Sequence, residues 1–200
     1  MRQSFHHGNL RAVLLEQAEA MLREDGVDGL SLRELARRAE VSHGAPRSHF
    51  VDRQALLDAL AVQGFERMTE KISAALRSPG TVRERFRRVG RAYVDFAVDD
   101  AALMELMFAA KSNSADGPVN HAAVRLFTLL DDAMADSPSS TGDDRTRERF
   151  KLMFAAAMQG TAALITSQRI TREQGEVLVD DATDALLASK LSAGLLVNEA

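Results

Sequence analysis

The sequence contains no cysteine, no tryptophan, a single tyrosine and only four prolines in 200 residues. Without cysteine there is no disulfide framework, no thiolate metal site and no thiol nucleophile, which suits a reducing compartment; the expected location is the cytoplasm. No apolar run approaches the ~20 residues of a membrane span. The opening MRQSFHHGNLR lacks the apolar stretch of a secretory signal. β-Branched runs of period two are also missing, while apolar residues recur at intervals of three and four, so the pattern predicts an all-α chain.

An excess of positive charge is likewise absent. The formal net charge is −4, which argues against nucleic-acid binding through bulk charge alone. The distribution is uneven. Residues 1–53 hold eight basic and eight acidic side chains with four of the five histidines, His6, His7, His43 and His49, whereas residues 54–200 hold seventeen basic and twenty-one acidic ones. Any anion-binding face is therefore local and lies early in the chain.

What is present reads as a succession of amphipathic helices. Leu10, Val13, Leu14, Ala18, Met21 and Leu22 line the first, which stops near Asp25-Gly26. SLRE at Ser31 predicts a capping box opening a second helix, with Leu32, Leu35, Ala36 and Ala39 inward. Asp52 starts a long helix lined by Leu56, Leu57, Leu60, Ala61, Phe65, Met68, Ile72 and Leu76, and Ser78-Pro79-Gly80 ends it. TVRE at Thr81 and TREQ at Thr171 predict two more capping boxes. Further helices are expected over about 101–110, 119–134, 143–167 and 172–198, with polar loops at SNSADGP and ADSPSSTGDD. The expected organisation is a three-helix helix-turn-helix domain, residues 1–56, followed by a helical bundle, residues 57–200.

The segment VSHGAPRSHF, Val41 to Phe50, is the anomaly. Gly44 and Pro46 propagate a helix poorly, yet the segment is crowded with polar donors. A short, exposed second helix that enters a DNA major groove tolerates such a composition, because packing through Val41, Ala45 and Phe50 holds it rather than propensity. Ser42 is the expected N-cap, and Pro46 falls just past the first turn. On this reading Ser31 bonds a phosphate, and Arg33 and His43 reach base edges. Arg47, Ser48 and His49 bond phosphate or bases, and Arg53 takes a flanking phosphate. The competing reading is a small hairpin with solvated side chains.

These residues resemble the tetracycline repressor (TetR) family of transcriptional regulators. The resemblance is carried by LSLRELARRAEVSHGAP, by SHF followed by DRQALLDAL, and by the preceding HHGNLRAVLLEQAEAMLREDG. It implies a homodimer with an N-terminal helix-turn-helix that binds a double-stranded DNA operator, and a C-terminal domain that binds a small-molecule effector. It also implies DNA contact at Ser31, Arg33, His43, Ala45, Arg47, His49 and Arg53. Two positions depart from the family: Glu40 stands where glycine is usual in the turn, and Arg47 where tyrosine is usual. A left-handed non-glycine costs ~1–2 kcal/mol.

For the rest of the chain the resemblance implies dimerisation through the last two helices. Ala155, Ala156, Gly160 and Ala163 form a small-residue stripe, and Leu178, Ala182, Ala185, Leu186 and Ser189 a second one; an intramolecular core explains both equally well. Phe86, Tyr93, Met104, Met107, Phe108, Phe127, Met153 and Met158 form an adaptable apolar set, with Tyr93, Gln159 and Thr161 as polar anchors for an apolar effector. Plain core packing accounts for the same residues. Asp131-Asp132, Asp143-Asp144 and Asp180-Asp181 are adjacent pairs whose side chains diverge on a helix, and His121 has no partner at helical spacing. No catalytic residue, metal site or cofactor is expected. The expected function is a ligand-released repressor on a palindromic operator. The alternative is a helical ligand-binding or scaffold protein whose helix-turn-helix no longer binds DNA.

Overall fold

A computed structural model describes residues 10–111, 116–135 and 144–192. Among the described residues all regular structure is helical: α1 (Leu10–Asp25), α2 (Leu32–Arg38), α3 (Arg53–Arg77), α4 (Val82–Asp99), α5 (Ala101–Lys111), α6 (Pro118–Ala135), α7 (Asp144–Thr166) and α8 (Arg172–Leu187). None of these is long and apolar enough to cross a membrane. His6 and His7 lie outside the described residues, as do most of both polar loops and the end of the expected last helix.

Local chemistry sets the helix boundaries. Asp52 caps α3, its Oδ1 accepting from the Ala55 N–H at 2.8 Å. Thr81 and Thr171 each form the full reciprocal box, with Glu84 and Gln174 reaching back to the cap N–H. At α2 only half of the expected box exists. Ser31 Oγ accepts from the Glu34 N–H at 3.1 Å, but the Glu34 carboxylate turns to Arg37 Nε at 2.9 Å and Arg38 Nε at 3.4 Å. Two nearby guanidinium groups outcompete one backbone N–H for a carboxylate. The α8 helix is shorter than expected, ending at Leu187. The hydroxyls of Ser189 and Ser192 bond back to Leu186 O and Leu187 O at 2.7 and 2.6 Å, competing with helical continuation.

The chain divides into two compact units, one containing the described residues up to Phe65 with those of Ala102–His121, the other Glu66–Ala101 with those from Ala122 on. In the first, α1 packs on α2, and Leu14, Ala18, Met21 and Leu22 of α1, Leu35 and Ala36 of α2, and Leu56, Leu60 and Phe65 of early α3 are buried. Each of these leucine, methionine and phenylalanine side chains contributes ~1.5–3 kcal/mol on burial. Met107 and Leu103 of α5 come within 3.2 Å of where a Cβ on Gly64 would stand, so any larger residue there would have to displace the Met107 side chain.

In the second unit α4, α7 and α8 pack on one another. Phe86 meets Phe150 and Phe154 edge-on, with ring centroids 5.7 and 5.6 Å apart. A Cβ on Gly90 would fall 2.7 Å from Met158 Sδ and 2.8 Å from Val179 Cγ1, so the three helices meet at this glycine. Along the flank runs a ladder of ion pairs. Arg83 and Arg87 of α4 hold Asp184 of α8 at 2.8 and 2.5 Å, and Arg91 holds Asp180 at 2.5 Å. The polarity then reverses, with Arg172 of α8 holding Asp95 and Asp99 of α4 at 2.9 and 2.5 Å. Successive partners advance by a helical turn on α4 and retreat on α8, so the ladder specifies an antiparallel pair in one register. The Asp184 carboxyl is held below its ordinary range, first by its hydrogen bond to Arg87 and further by Arg83.

Candidate nucleic-acid interface

The connection from α2 to α3 begins with a helix ending that glycine usually supplies. Glu40 has φ 54, the left-handed region. Its N–H donates to Arg37 O, and the Val41 N–H donates to Ala36 O at 3.0 Å. This is a Schellman ending with glutamate at the left-handed position. The departure from the family pattern therefore leaves the turn intact, at the cost of a strained residue. Gln168, the other described non-glycine with positive φ, ends α7 the same way, with the Arg169 N–H donating to Leu164 O.

The segment after the turn is not the α-helix the sequence suggested. It is a run of turns closing in a single 3-10 turn, Pro46–Ser48. Ala45, Arg47, Ser48 and His49 each donate to the carbonyl three residues back, and Phe50 donates to Pro46 O at 2.8 Å. The cause is Pro46, which has no N–H to return to the Ser42 carbonyl, so the wider α ladder cannot begin there. Ser42 does not cap through its side chain; its carbonyl accepts from Ala45 N–H at 2.9 Å.

Burial sorts the segment cleanly. Pro46 and Phe50 are buried and Ala45 is half-buried, so these three anchor it. Ser42, His43, Arg47, Ser48 and His49 are all exposed. Ser31 and Arg33, at the start of α2, are exposed as well. Ser48 Oγ is engaged with Ala45 O at 2.7 Å, whereas no hydrogen bond or ion pair is found for the side chains of Arg33, His43, Arg47 or His49 among the described residues. This part of the surface is thus a small polar projection held from beneath by a proline and a phenylalanine.

Two features could not be read from the sequence. Arg11 of α1 lies over the Phe50 ring, its Cζ 5.4 Å from the centroid, which puts a further guanidinium beside the projection. Arg53 is also not simply free for phosphate. Its Nε donates to Leu30 O at 2.7 Å and its Nη2 to Val27 O at 2.6 Å. No local pattern reveals either interaction, because each joins residues far apart in the chain.

The expected effector residues fall in both units. Met104, Met107 and Phe108 belong to the first, where Phe108 meets Phe65 edge-on at 6.4 Å. Phe86, Tyr93, Phe127, Met153, Met158, Gln159 and Thr161 belong to the second. Phe86 and Met158 are fully occupied in its core, Phe127 is half-buried and Met153 is exposed. Thr161 is buried and bonds the Ala157 carbonyl. Tyr93 and Gln159 are brought together, with Tyr93 Oη donating to Gln159 Oε1 at 2.6 Å. Burial pushes the Tyr93 phenol well above its ordinary range, so it is a neutral donor. Of the small-residue stripes, Ala156, Gly160, Ala163 and Ala185 face outward, whereas Leu186 is buried within the unit. No group of three or more possible metal ligands occurs among the described residues.

Comparison with known proteins agrees with this geometry. Residues 14–60 match the family model for bacterial regulatory proteins of the tetR family, and residues 86–189 match the tetracyclin repressor-like C-terminal domain. No curated protein matches the chain. Among solved structures, a protein of unknown function from Rhodococcus sp. RHA1 is 36% identical, with TM-score 0.83 over 97% of this chain and 100% of that one. A TetR-family transcriptional regulator from Rhodococcus sp. superposes with TM-score 0.69 at 18% identity, over 89% and 98% of the two chains. The regulator FadR from Bacillus subtilis, solved with stearoyl-CoA, gives TM-score 0.70 at 12% identity, over 88% and 97%. A helix-turn-helix match at the front and a C-terminal match over more than half of its length place this chain in the tetracycline repressor family of bacterial regulators.

Proposed function

We propose that the protein is a non-catalytic, ligand-responsive transcriptional repressor that binds a palindromic DNA operator as a homodimer in the cytoplasm. The observation that carries this reading is the exposed set His43, Arg47, Ser48 and His49 on a turn anchored by buried Pro46 and Phe50. Free histidine and arginine side chains on a rigid projection suit base edges and phosphates. Ser31, Arg33, Ser42, Ala45 and Arg53 complete the proposed DNA-binding surface, with residues 1–56 as the DNA-binding part.

Pairing is supported by α7 and α8. Leu152, Met153, Val177 and Leu178 are exposed apolar side chains. Gly160 lies mid-helix with nothing among the described residues within 4 Å of where its Cβ would be. A glycine there costs ~1 kcal/mol of helix stability against alanine, a cost offset when a second copy packs closely. Residues 57–200 are the proposed dimerisation and effector part, with Tyr93 and Gln159 of the second unit as the proposed polar anchors. The effector is proposed as a small apolar molecule. It acts by favouring the conformation whose two reading segments do not fit the operator.

Selection from a randomised duplex library tests the proposal. The expected product is an inverted repeat with half-sites ~10 base pairs apart, centre to centre, or a multiple of that spacing. Recovery of no enriched sequence would refute the function.

A further inference from the structure

Arg53 is exposed on the first turn of α3, yet its guanidinium is already half committed. Nε and Nη2 form the side edge of the group, and both donate to carbonyls, Leu30 O at 2.7 Å and Val27 O at 2.6 Å. Those carbonyls flank the entry to α2. Val27 opens the 3-10 turn Val27–Gly29, and Leu30 immediately precedes the Ser31 cap. The end edge, made of Nη1 and the remaining Nη2 hydrogen, has no hydrogen-bond partner among the described residues. A planar fork with one edge fixed and the other free is a pre-oriented bidentate phosphate ligand.

We propose that Arg53 does more than take the flanking phosphate that the family resemblance implies: its side edge straps the start of α3 to the entry of α2, leaving the end edge for a backbone phosphate of the operator. Arg53 is thus a positioning residue as well as a phosphate ligand. It couples the long helix to the seating of the two reading elements, since α3 cannot turn against α2 without breaking two charge-assisted bonds. Lysine cannot substitute, because a single ammonium holds a phosphate as a point charge but cannot keep two separated carbonyls in a fixed fork. The proposal rests on the DNA-binding function above, but the strap exists without DNA and is read separately.

The test compares wild type, Arg53→Lys and Arg53→Ala in the full-length protein. The probes are the duplex selected by the wild type and the same duplex with scrambled half-sites, titrated over a range of salt. Amide hydrogen exchange over residues 27–31 is followed without DNA. Arg53→Lys is expected to keep the wild-type salt slope and to reduce the preference for the selected duplex about 10-fold or more, the effect expected when charged hydrogen bonds are removed. Arg53→Ala is expected also to lower the slope by about 1, because one phosphate fewer is neutralised. Both variants should exchange faster at residues 27–31. Arg53→Lys matching wild type in preference and exchange would overturn the strap, and an unchanged slope in Arg53→Ala would overturn the phosphate role. A wild type that prefers no duplex would refute the DNA-binding function and the end-edge role together, while the exchange data would still decide the side-edge role.

Discussion

At the scale of single residues, the most informative position is Glu40. It occupies the left-handed C-terminal position of a Schellman ending that glycine fills at least strain. Glu40→Gly should therefore raise stability by ~0.5–1 kcal/mol after allowance for the freer unfolded chain, or about 2–4 °C in Tm for each kcal/mol at this size. Urea unfolding checks it, and a lower midpoint would show that the glutamate side chain contributes something the backbone argument omits. Glu34 carries a pH prediction. Its hydrogen bond to Arg37, with further help from Arg38, holds its carboxyl at about 2 against an ordinary 4.5. A lowered folded-state pKa stabilises above the unfolded value and is lost as pH falls, so Glu34→Gln should flatten the stability loss between about pH 4.5 and pH 2. An unchanged acid limb in the variant would contradict the assignment.

The element scale shows what was legible beforehand and why. Caps were readable, because Asp52, Thr81 and Thr171 bond a backbone group only three positions away. The buried stripes of α1 and α3 were readable for the same reason, since helical period alone brings Leu14, Ala18 and Met21, or Leu56, Leu60 and Phe65, to one face. The geometry of the reading segment was not. Its exposed residues were identifiable from composition, but the replacement of an α turn by a 3-10 turn depends on one missing N–H at Pro46. Interactions across long separations were invisible as well, Arg53 with Leu30 and Val27 above all. The ladder between α4 and α8 belongs here too: each charge was visible, its partner was not. Arg87→Asp alone should destabilise, and the double variant Arg87→Asp with Asp184→Arg should recover much of the stability. The coupling is expected at ~0.5–1 kcal/mol, given that both side chains are about a third exposed. Salt should weaken it, and a double-mutant cycle showing no coupling would remove the ladder as a determinant of register.

On the scale of the whole molecule, folding and association make opposite demands at Gly160. An added Cβ meets nothing within 4 Å among the described residues. Gly160→Ala should therefore stabilise an isolated chain by about 1 kcal/mol through helix propensity. If a second copy packs against this face, the same methyl group should weaken the dimer, and Gly160→Leu should abolish it while leaving the helical signal intact. Sedimentation of the three proteins over a concentration series separates the cases; equal association in all three would place the interface elsewhere. DNA reading by two copies needs this pairing, because one projection of this size reaches few bases.

Fluorescence anisotropy on the selected duplex decides whether residues 42–49 read DNA in duplicate. We expect two chains per duplex and a log–log salt slope of about −0.9 for each phosphate neutralised. We also expect the combined His43→Ala, Arg47→Ala and His49→Ala variant to bind selected and scrambled duplexes alike. A triple variant that still distinguishes the two duplexes as well as the wild type would contradict the account.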